Sequence, residues 1–477
     1  MALVVETKKS CAVNPLKMSQ PLGATFAFLG LDACVPTMHG SQGCTSFGLV
    51  VMVRHFRETI PMQTTAMNEV STILGGLENI EQAIVNIHKR NHPRIIALCS
   101  TGLTETKGDD VDGYLHLIRK RHPELDDTAI VYVSTPDYVG AFEDGFSRAV
   151  SALVETLVEP ASHSIPNQVN VLAGWHMTAG DIDELRELLA AFGFNAIVLP
   201  DVSGSLDGHI PDEWLGTTMG GTTLDSIREM GASALTIAVG EQMRSAAMEL
   251  ELRAGVPYVL FDRLTGLAPN DQLLQTLSEL SGRPVPEKYR RQRSQLLDAM
   301  LDGHFFFGNV KVAIAAEPDL LWAMGSFLAE MGAELTVCVT TTKSQLLSRL
   351  PTNEVVIGDL EDFERAAQAT GCDLLLTHSH GRQASERLGK PLYRIGMPLF
   401  DRLGNAHTVN VGYRGTRNLV FDIGNLLIAQ TPHHAPDHWP LPAATLAALA
   451  PGVMPISPAD AQGAVSSCSG RSCACDD

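Results

Sequence analysis

Phosphate-binding loops are missing from this chain of 477 residues. No Gly-x-x-x-x-Gly-Lys-Ser/Thr run is present, and no Gly-x-Gly-x-x-Gly fingerprint follows a strand pattern, which leaves any step driven by ATP to another protein. Neither a His-Glu-x-x-His zinc motif nor a Gly-x-Ser-x-Gly nucleophile elbow occurs. No apolar run approaches the roughly 18 residues that a membrane helix needs. The first ten residues are too short and too charged for a secretory signal. These absences predict a cytoplasmic protein. Basic charge is also scarce: 35 Lys and Arg stand against 54 Asp and Glu, a formal charge of −19. That balance argues against nucleic-acid binding, which rests on neutralising phosphates. Nine cysteines at positions 11, 34, 44, 99, 338, 372, 468, 473 and 475 form no paired spacing through the body. In such a chain most are expected to be reduced and buried.

What is present is strand–helix alternation. Runs at 95–99 and 130–134 read as buried parallel strands. Runs at 169–173, 196–200, 234–239 and 257–261 form a second set, and 310–315, 335–339, 355–357, 374–377 and 392–395 a third. Amphipathic segments at 181–192, 319–331 and 360–370 lie between them. This order predicts an α/β fold with parallel sheets flanked by helices. The segments 188–198 and 327–337 echo each other, each a helix that stops at a glycine and leads into a strand. At this length several domains are expected. The polar, helix-breaking stretch 160–168 and the stretch near 303–309 suggest divisions into 1–162, 163–303 and 304–430. Seven of the last 47 residues are proline, so 431–477 reads as a flexible C-terminal tail. Its His433, His434 and His438, with Cys468, Cys473 and Cys475, are read as part of that tail.

The run His39-Gly40-Ser41-Gln42-Gly43-Cys44 carries the most specific chemistry. A thiolate in a glycine-rich turn suits an iron–sulfur cluster. Glycine lets the backbone approach closely, and peptide N–H groups offset the cluster's negative charge. Gly40, Ser41 and Gly43 are the candidate cofactor-binding residues, and Cys44 is the candidate metal ligand. Taken alone, one cysteine beside a tight turn reads as a buried core thiol. Cys34 and Cys99 are read as core residues. His55 is read as a packing or hydrogen-bonding group, and His378 with His380 as a structural turn.

The wording around this run extends well beyond it. Residues 14–24, containing Asn14-Pro15 and Ser19-Gln20-Pro21-Leu22-Gly23, precede it. Arg54-His55-Phe56-Arg57-Glu58 and Ser100-Thr101-Gly102-Leu103-Thr104-Glu105 follow. Further phrases stand at 135–140, 203–208, 220–223, 298–304, 394–402 and 412–413. Together they resemble the β-type subunits of the nitrogenase component 1 family. In catalytic members, cysteines at three points hold half of the P-cluster; here Ser19, Cys44 and Gly102 occupy those points. The resemblance implies three Rossmann-like domains. With one ligand of three kept, it implies the scaffold branch, on which the iron–molybdenum cofactor precursor is matured, rather than the catalytic one.

A cubane [4Fe–4S] cluster takes four thiolates. If this chain supplies one, a homodimer supplies only two, so a different partner carrying three is required. The resemblance identifies that partner as NifE, in an α2β2 heterotetramer that holds the precursor mainly on NifE. NifB is the implied precursor donor. The nitrogenase iron protein is the implied source of molybdenum, homocitrate and electrons. Such a chain is not expected to be catalytic alone. The alternatives are a catalytic β subunit of a nitrogenase-like or protochlorophyllide-reductase-like enzyme, and an α/β binding protein in which Cys44 is a core thiol.

Overall fold

A strand at the very start of the chain, β1 (Leu3–Glu6), pairs with one formed near the other end. The computed structural model describes residues 1–430 apart from Lys8 and Ser10. The first sheet contains β2 (Cys34–His39), β3 (Gln63–Thr64), β4 (Ile95–Ser100) and β5 (Ala129–Val133), in the order β3-β2-β4-β5. The second contains β6 (Ile165–Leu172), β7 (Asn195–Leu199), β8 (Ser233–Val239) and β9 (Tyr258–Phe261), in the order β7-β6-β8-β9. The third contains β10 (Lys311–Ala315), β11 (Glu334–Thr340), β12 (Glu354–Ile357), β13 (Leu374–Thr377) and β14 (Leu392–Arg394). Its order is β1-β12-β11-β10-β13-β14, so the N-terminus closes its edge. Every strand pair in the three sheets is parallel, as the alternation of strands and helices predicts.

Eight helices position the features that matter below. They are α1 (Gln20–Leu29), α2 (Gln42–Phe56), α3 (Gly102–Lys107), α4 (Phe142–Leu157), α5 (Ala179–Ala191), α6 (Glu287–Phe307), α7 (Pro318–Glu330) and α8 (Gly412–Ile428). All ten residues of α1 are buried. Its backbone lies directly on α4: a Cβ at Gly23 would run into the Phe142 carbonyl, and one at Gly145 into the Gln20 carbonyl. Glycine is required at both places by contact, not by backbone conformation.

The helix–glycine–strand echo is present at both sites. α5 is followed by Gly193 at φ 86° and α7 by Gly332 at φ 90°, each leading to a strand. Two boundary readings differ from the structure. The stretch 160–168 gives way to strand already at Ile165. Gly303 lies inside α6, where a Cβ would meet Val420 Cγ1 of α8 at 2.7 Å, so this glycine permits helix packing and does not end the helix. The division at 303/304 therefore falls within a continuous helix. Among the described residues, no helix is long and apolar enough to cross a membrane. The tail and its His and Cys residues lie outside the described residues.

Three buried acids meet between elements of the three sheets. Glu143 in the first turn of α4 accepts hydrogen bonds from Trp175 Nε1 at 3.0 Å and Asp319 N at 3.1 Å. Glu317, the N-cap of α7, accepts from Thr341 Oγ1 at 2.7 Å, and Asp319 accepts from the Gln242 amide at 3.1 Å. Burial raises all three, Glu317 to about 8 and Asp319 to about 7.

Candidate cluster-ligand site

The site is built on two adjacent strands of the first sheet. β2 and β4 pair from Cys34–Ile95 through His39–Ser100, so their carboxyl ends lie side by side. In open parallel sheets that edge, where strands turn into helices, is where ligands bind. β2 runs through Gly40 and Ser41 into α2, and β4 runs through Thr101 into α3. Cys44 is the third residue of α2, and Gly102 is the first residue of α3. Ser19 is the N-cap of α1. All three positions named from the sequence thus stand at helix N-termini, where backbone N–H groups lack helical partners and favour negative charge.

The turn before Cys44 is held firmly. The His39 carbonyl accepts from Thr101 Oγ1 and Thr104 Oγ1, both at 3.1 Å. Thr65 Oγ1 accepts from the Gly40 amide at 3.2 Å and lies 2.9 Å from His39 Nδ1. The Gly40 carbonyl accepts from the Met67 amide at 2.8 Å. A Cβ on Gly40 would collide with the buried Thr101 side chain, whereas one on Gly43 would meet only Ser41 Oγ at 3.9 Å. Gly40 is therefore locked against the neighbouring turn, and Gly43 faces open space. Below them His39 is fully buried, its Nε2 3.4 Å from Asp109 Oδ2. Burial lowers its basicity despite that carboxylate. Burial would raise Asp109, but the Lys107 ammonium, 2.5 Å away, holds its carboxyl below the usual range.

Cys44 is exposed, and its sulfur accepts a 3.5 Å hydrogen bond from Ser41 Oγ. The same face of α2 carries Phe47 and Val50, 68% and 54% exposed, with Val53 beyond them. A thiol on an exposed apolar helix face is unlike a core cysteine. By contrast Cys34 and Cys99 are completely buried, as the sequence reading has them. Burial pushes Cys99 up to about 12 and Cys34 higher still. Cys99 has Pro21 O, Thr25 Oγ1 and Thr37 O around its sulfur at 3.8–3.9 Å, which leaves it no route to the surface beside Gly102.

The companion turns carry no thiol. A Cβ on Gly102 would enter the space taken by the exposed Asp137 carboxylate. Asp137 lies in a turn tied to the start of α1, because Gln20 Nε2 donates to Pro136 O at 3.0 Å and also to Val139 O. Contacts therefore link all three turns: Gln20 beside Ser19 to 136–139, Asp137 to Gly102, and Thr101 to Gly40. No group of three or more His, Cys, Asp or Glu among the described residues is arranged to hold a metal ion. The described residues therefore offer no complete ligand set for a multi-iron cluster at this surface, and Cys44 is the one cysteine in these three turns.

The Thr101–His39 tie, the Asp137 cover and the apolar face of α2 escape sequence reasoning. Residues 47–53 are apolar on every side, so nothing marks which side is outward. His55 does hydrogen-bond: its Nδ1 accepts from the Leu399 amide at 2.9 Å. His378 is buried, with Nδ1 accepting from the His380 amide at 3.3 Å and Nε2 3.4 Å from the Leu16 carbonyl, which fits a structural turn.

Comparison with known proteins gives the family of the chain. Residues 19–428 match the family described as "Nitrogenase component 1 type Oxidoreductase". The "Nitrogenase iron-molybdenum cofactor biosynthesis protein NifN" of Bradyrhizobium diazoefficiens is 58% identical over 92% of this chain and 95% of its own length. The protein of the same name from Nostoc sp. is 53% identical over 90% and 96%. Among solved structures, the chain "Nitrogenase Cp1 at pH 6.5" superposes with a TM-score of 0.86 at 31% identity, covering 90% of this chain and 96% of that one. The chain belongs to the nitrogenase component 1 type oxidoreductase family, alongside the NifN proteins.

Proposed function

We propose that this chain is the β-like subunit of a scaffold on which the iron–molybdenum cofactor of nitrogenase is matured, and that Cys44 is its single ligand to a bridging [4Fe–4S] cluster. The observation that carries the reading is the placement of Cys44. It is the exposed thiol at the start of α2, on an apolar face, with non-thiol residues at both companion helix starts. The cofactor-biosynthesis role named for the NifN relatives supports the maturation reading. The three remaining thiolates come from the partner, NifE, which holds most of the precursor in an α2β2 assembly. NifB donates that precursor, and the nitrogenase iron protein docks on the shared surface.

When bound, the cluster supplies electron relay. This chain's residues do the holding. Ser41 offers its hydroxyl to the sulfur. Gly43 leaves room beside it, and Gly40 stays fixed by Thr101 and Thr65. Phe47 and Val50 give the partner an apolar surface whose burial stabilises association, at roughly 25 cal/mol per Å² of area removed from water. Ser19 and Gly102 speak against the catalytic β-subunit alternative, since neither side chain replaces a thiolate.

The test is anaerobic co-purification with NifE, followed by iron and sulfide analysis of wild type and Cys44→Ala. The expected result is an intact complex that loses about four irons per heterodimer. Unchanged iron in the variant would remove Cys44 from the site.

A further inference from the structure

A second feature stands apart from the Cys44 turn. A cavity of about 110 Å³ lies beyond the carboxyl ends of β6 and β14, walled by α1, α2, α7 and the 175–181 segment. Most of its wall is apolar, including Phe26, Phe56, Trp175, Met324 and Met397. Cavities with such walls stay dry and empty, or hold an apolar guest, unless polar groups are built into them.

Here polar groups are built in, and three of them have buried atoms without partners. Arg394 binds Asp401 Oδ2 through Nη2 at 2.7 Å and the Leu392 carbonyl through Nη1 at 3.3 Å, yet its Nε–H has no acceptor. His176 Nδ1 and Asn405 Oδ1 are likewise unpartnered. An orphaned buried polar atom costs about 1–3 kcal/mol, so three around one cavity call for a ligand or water.

The lining favours an anion. The Leu399 amide can only donate, so His55 Nδ1 must accept and the neutral ring carries its proton on Nε2. Burial lowers both His55 and His176 to about 4, which keeps them neutral near pH 7. Arg402 also lines the cavity and forms no ion pair among the described residues; its guanidinium lies 5.7 Å from the Tyr393 ring centre. The one acid in the lining, Asp181, is already committed. It accepts from the backbone amides of Thr178 at 3.0 Å, Asn410 at 2.5 Å and Val411 at 3.1 Å. Unused donors therefore outnumber unused acceptors, inside an apolar wall.

We propose that this cavity binds a small organic carboxylate, with its charged end toward Arg394 and Arg402 and its carbon body against Phe26, Trp175 and Met324. Its volume is below the roughly 150 Å³ of a cavity that holds benzene, so a four-carbon acid sets the scale.

The test is calorimetric titration of the co-purified complex with butanoate, 1-butanol and inorganic phosphate, using wild type, Arg402→Gln and Ala323→Leu. Ala323 lines the cavity and is 3% exposed, so the larger side chain fills it without altering charge. The expected result is saturable butanoate binding that weakens at least about tenfold (1.4 kcal/mol) in each variant, with 1-butanol and phosphate at least tenfold weaker in wild type. No saturable butanoate binding to wild type would overturn the proposal, as would undiminished binding to Arg402→Gln. Phosphate binding as tight as butanoate would overturn the organic class. If Ala323→Leu fails to fold, the Arg402→Gln and 1-butanol comparisons decide alone. The iron count of the Cys44 test is read separately, so either proposal can fail without the other.

Discussion

Three strand-to-helix turns in this chain share a backbone plan and hold different chemistry. After β2, the turn presents Cys44 on an exposed apolar helix face. After β4, next to it, the same plan carries Gly102 with the Asp137 carboxylate lying over it. After β10, the turn places Glu317 and Asp319 at the start of α7, buried against Glu143. Each supplies a helix N-terminus whose free N–H groups favour negative charge. Surroundings then decide the use. Facing outward, the N-terminus presents an exposed thiol; facing inward, it holds acids whose affinity for protons burial raises. The comparison teaches that the fold provides sites at strand ends, and that side chains choose which become functional.

Four substitutions sharpen or break this contrast. The largest effect is expected for Gly40→Ala, because its Cβ would enter a buried, hydrogen-bonded threonine. A destabilisation of about 3 kcal/mol follows from overpacking, read as a drop in the thermal midpoint of the complex. Wild-type stability there would show that the Cys44 turn is not locked against Thr101.

Next is Glu317→Gln. A carboxyl raised from 4.5 to about 8 in the folded state contributes stability fully present below pH 4.5 and lost as pH rises through 8. The glutamine lacks that dependence. Its stability relative to wild type should therefore rise from pH 5 to pH 8, on the order of 2 kcal/mol. Parallel stability–pH curves for the two proteins would contradict the inward reading of this turn.

Thr101→Val keeps the packing against Gly40 and removes one of two hydroxyl donors to the His39 carbonyl. A cost of about 1 kcal/mol is expected, with Thr101→Ser recovering most of it in denaturant titrations. Smallest is Ser19→Ala. Ser19 makes no side-chain cap hydrogen bond, so stability should change by less than about 0.5 kcal/mol and iron content should stay unchanged. A loss of iron here would make Ser19 a ligand and end the contrast between the first turn and its companions.

Most sheet strands are legible in the sequence because buried parallel strands are short apolar runs bounded by turns. The strands that are not legible have physical reasons. β2 contains Pro36, which lacks an N–H and argues against an interior strand. Yet Pro36 pairs with Ala97 on the β4 side, while β3 reaches only Thr37 and Met38. β3 has only two residues. β1 is four residues whose partner, β12, is nearly the whole chain away, and no local pattern reports that. A boundary at 303/304 is suggested because the sequence does not show α8 pressed against Gly303 inside a continuous helix. At the site, Gly40, Ser41, Gly43 and Cys44 are legible as a motif. Which side of α2 faces outward depends on packing, with Gly48 brought within 2.8 Å of Leu22 if given a Cβ.

The first strand sets the order in which the molecule can be completed. β1 is made before its partner residues, 354–357, which follow it by 351 positions in the sequence (Leu3 pairs with Glu354). Until then the segment leading to Ser19 has no anchor. Leu16 belongs to the apolar cluster around the third sheet, and Val13 and Asn14 hydrogen-bond to Asp359 and Leu360. A contact that spans so much chain forms late. The segment before Ser19 is thus fixed only once the last sheet exists, whereas Gln20 already ties the start of α1 to Pro136 and Val139. An unfinished chain can expose Cys44, but it lacks the clasp that holds the segment leading into the neighbouring helix start.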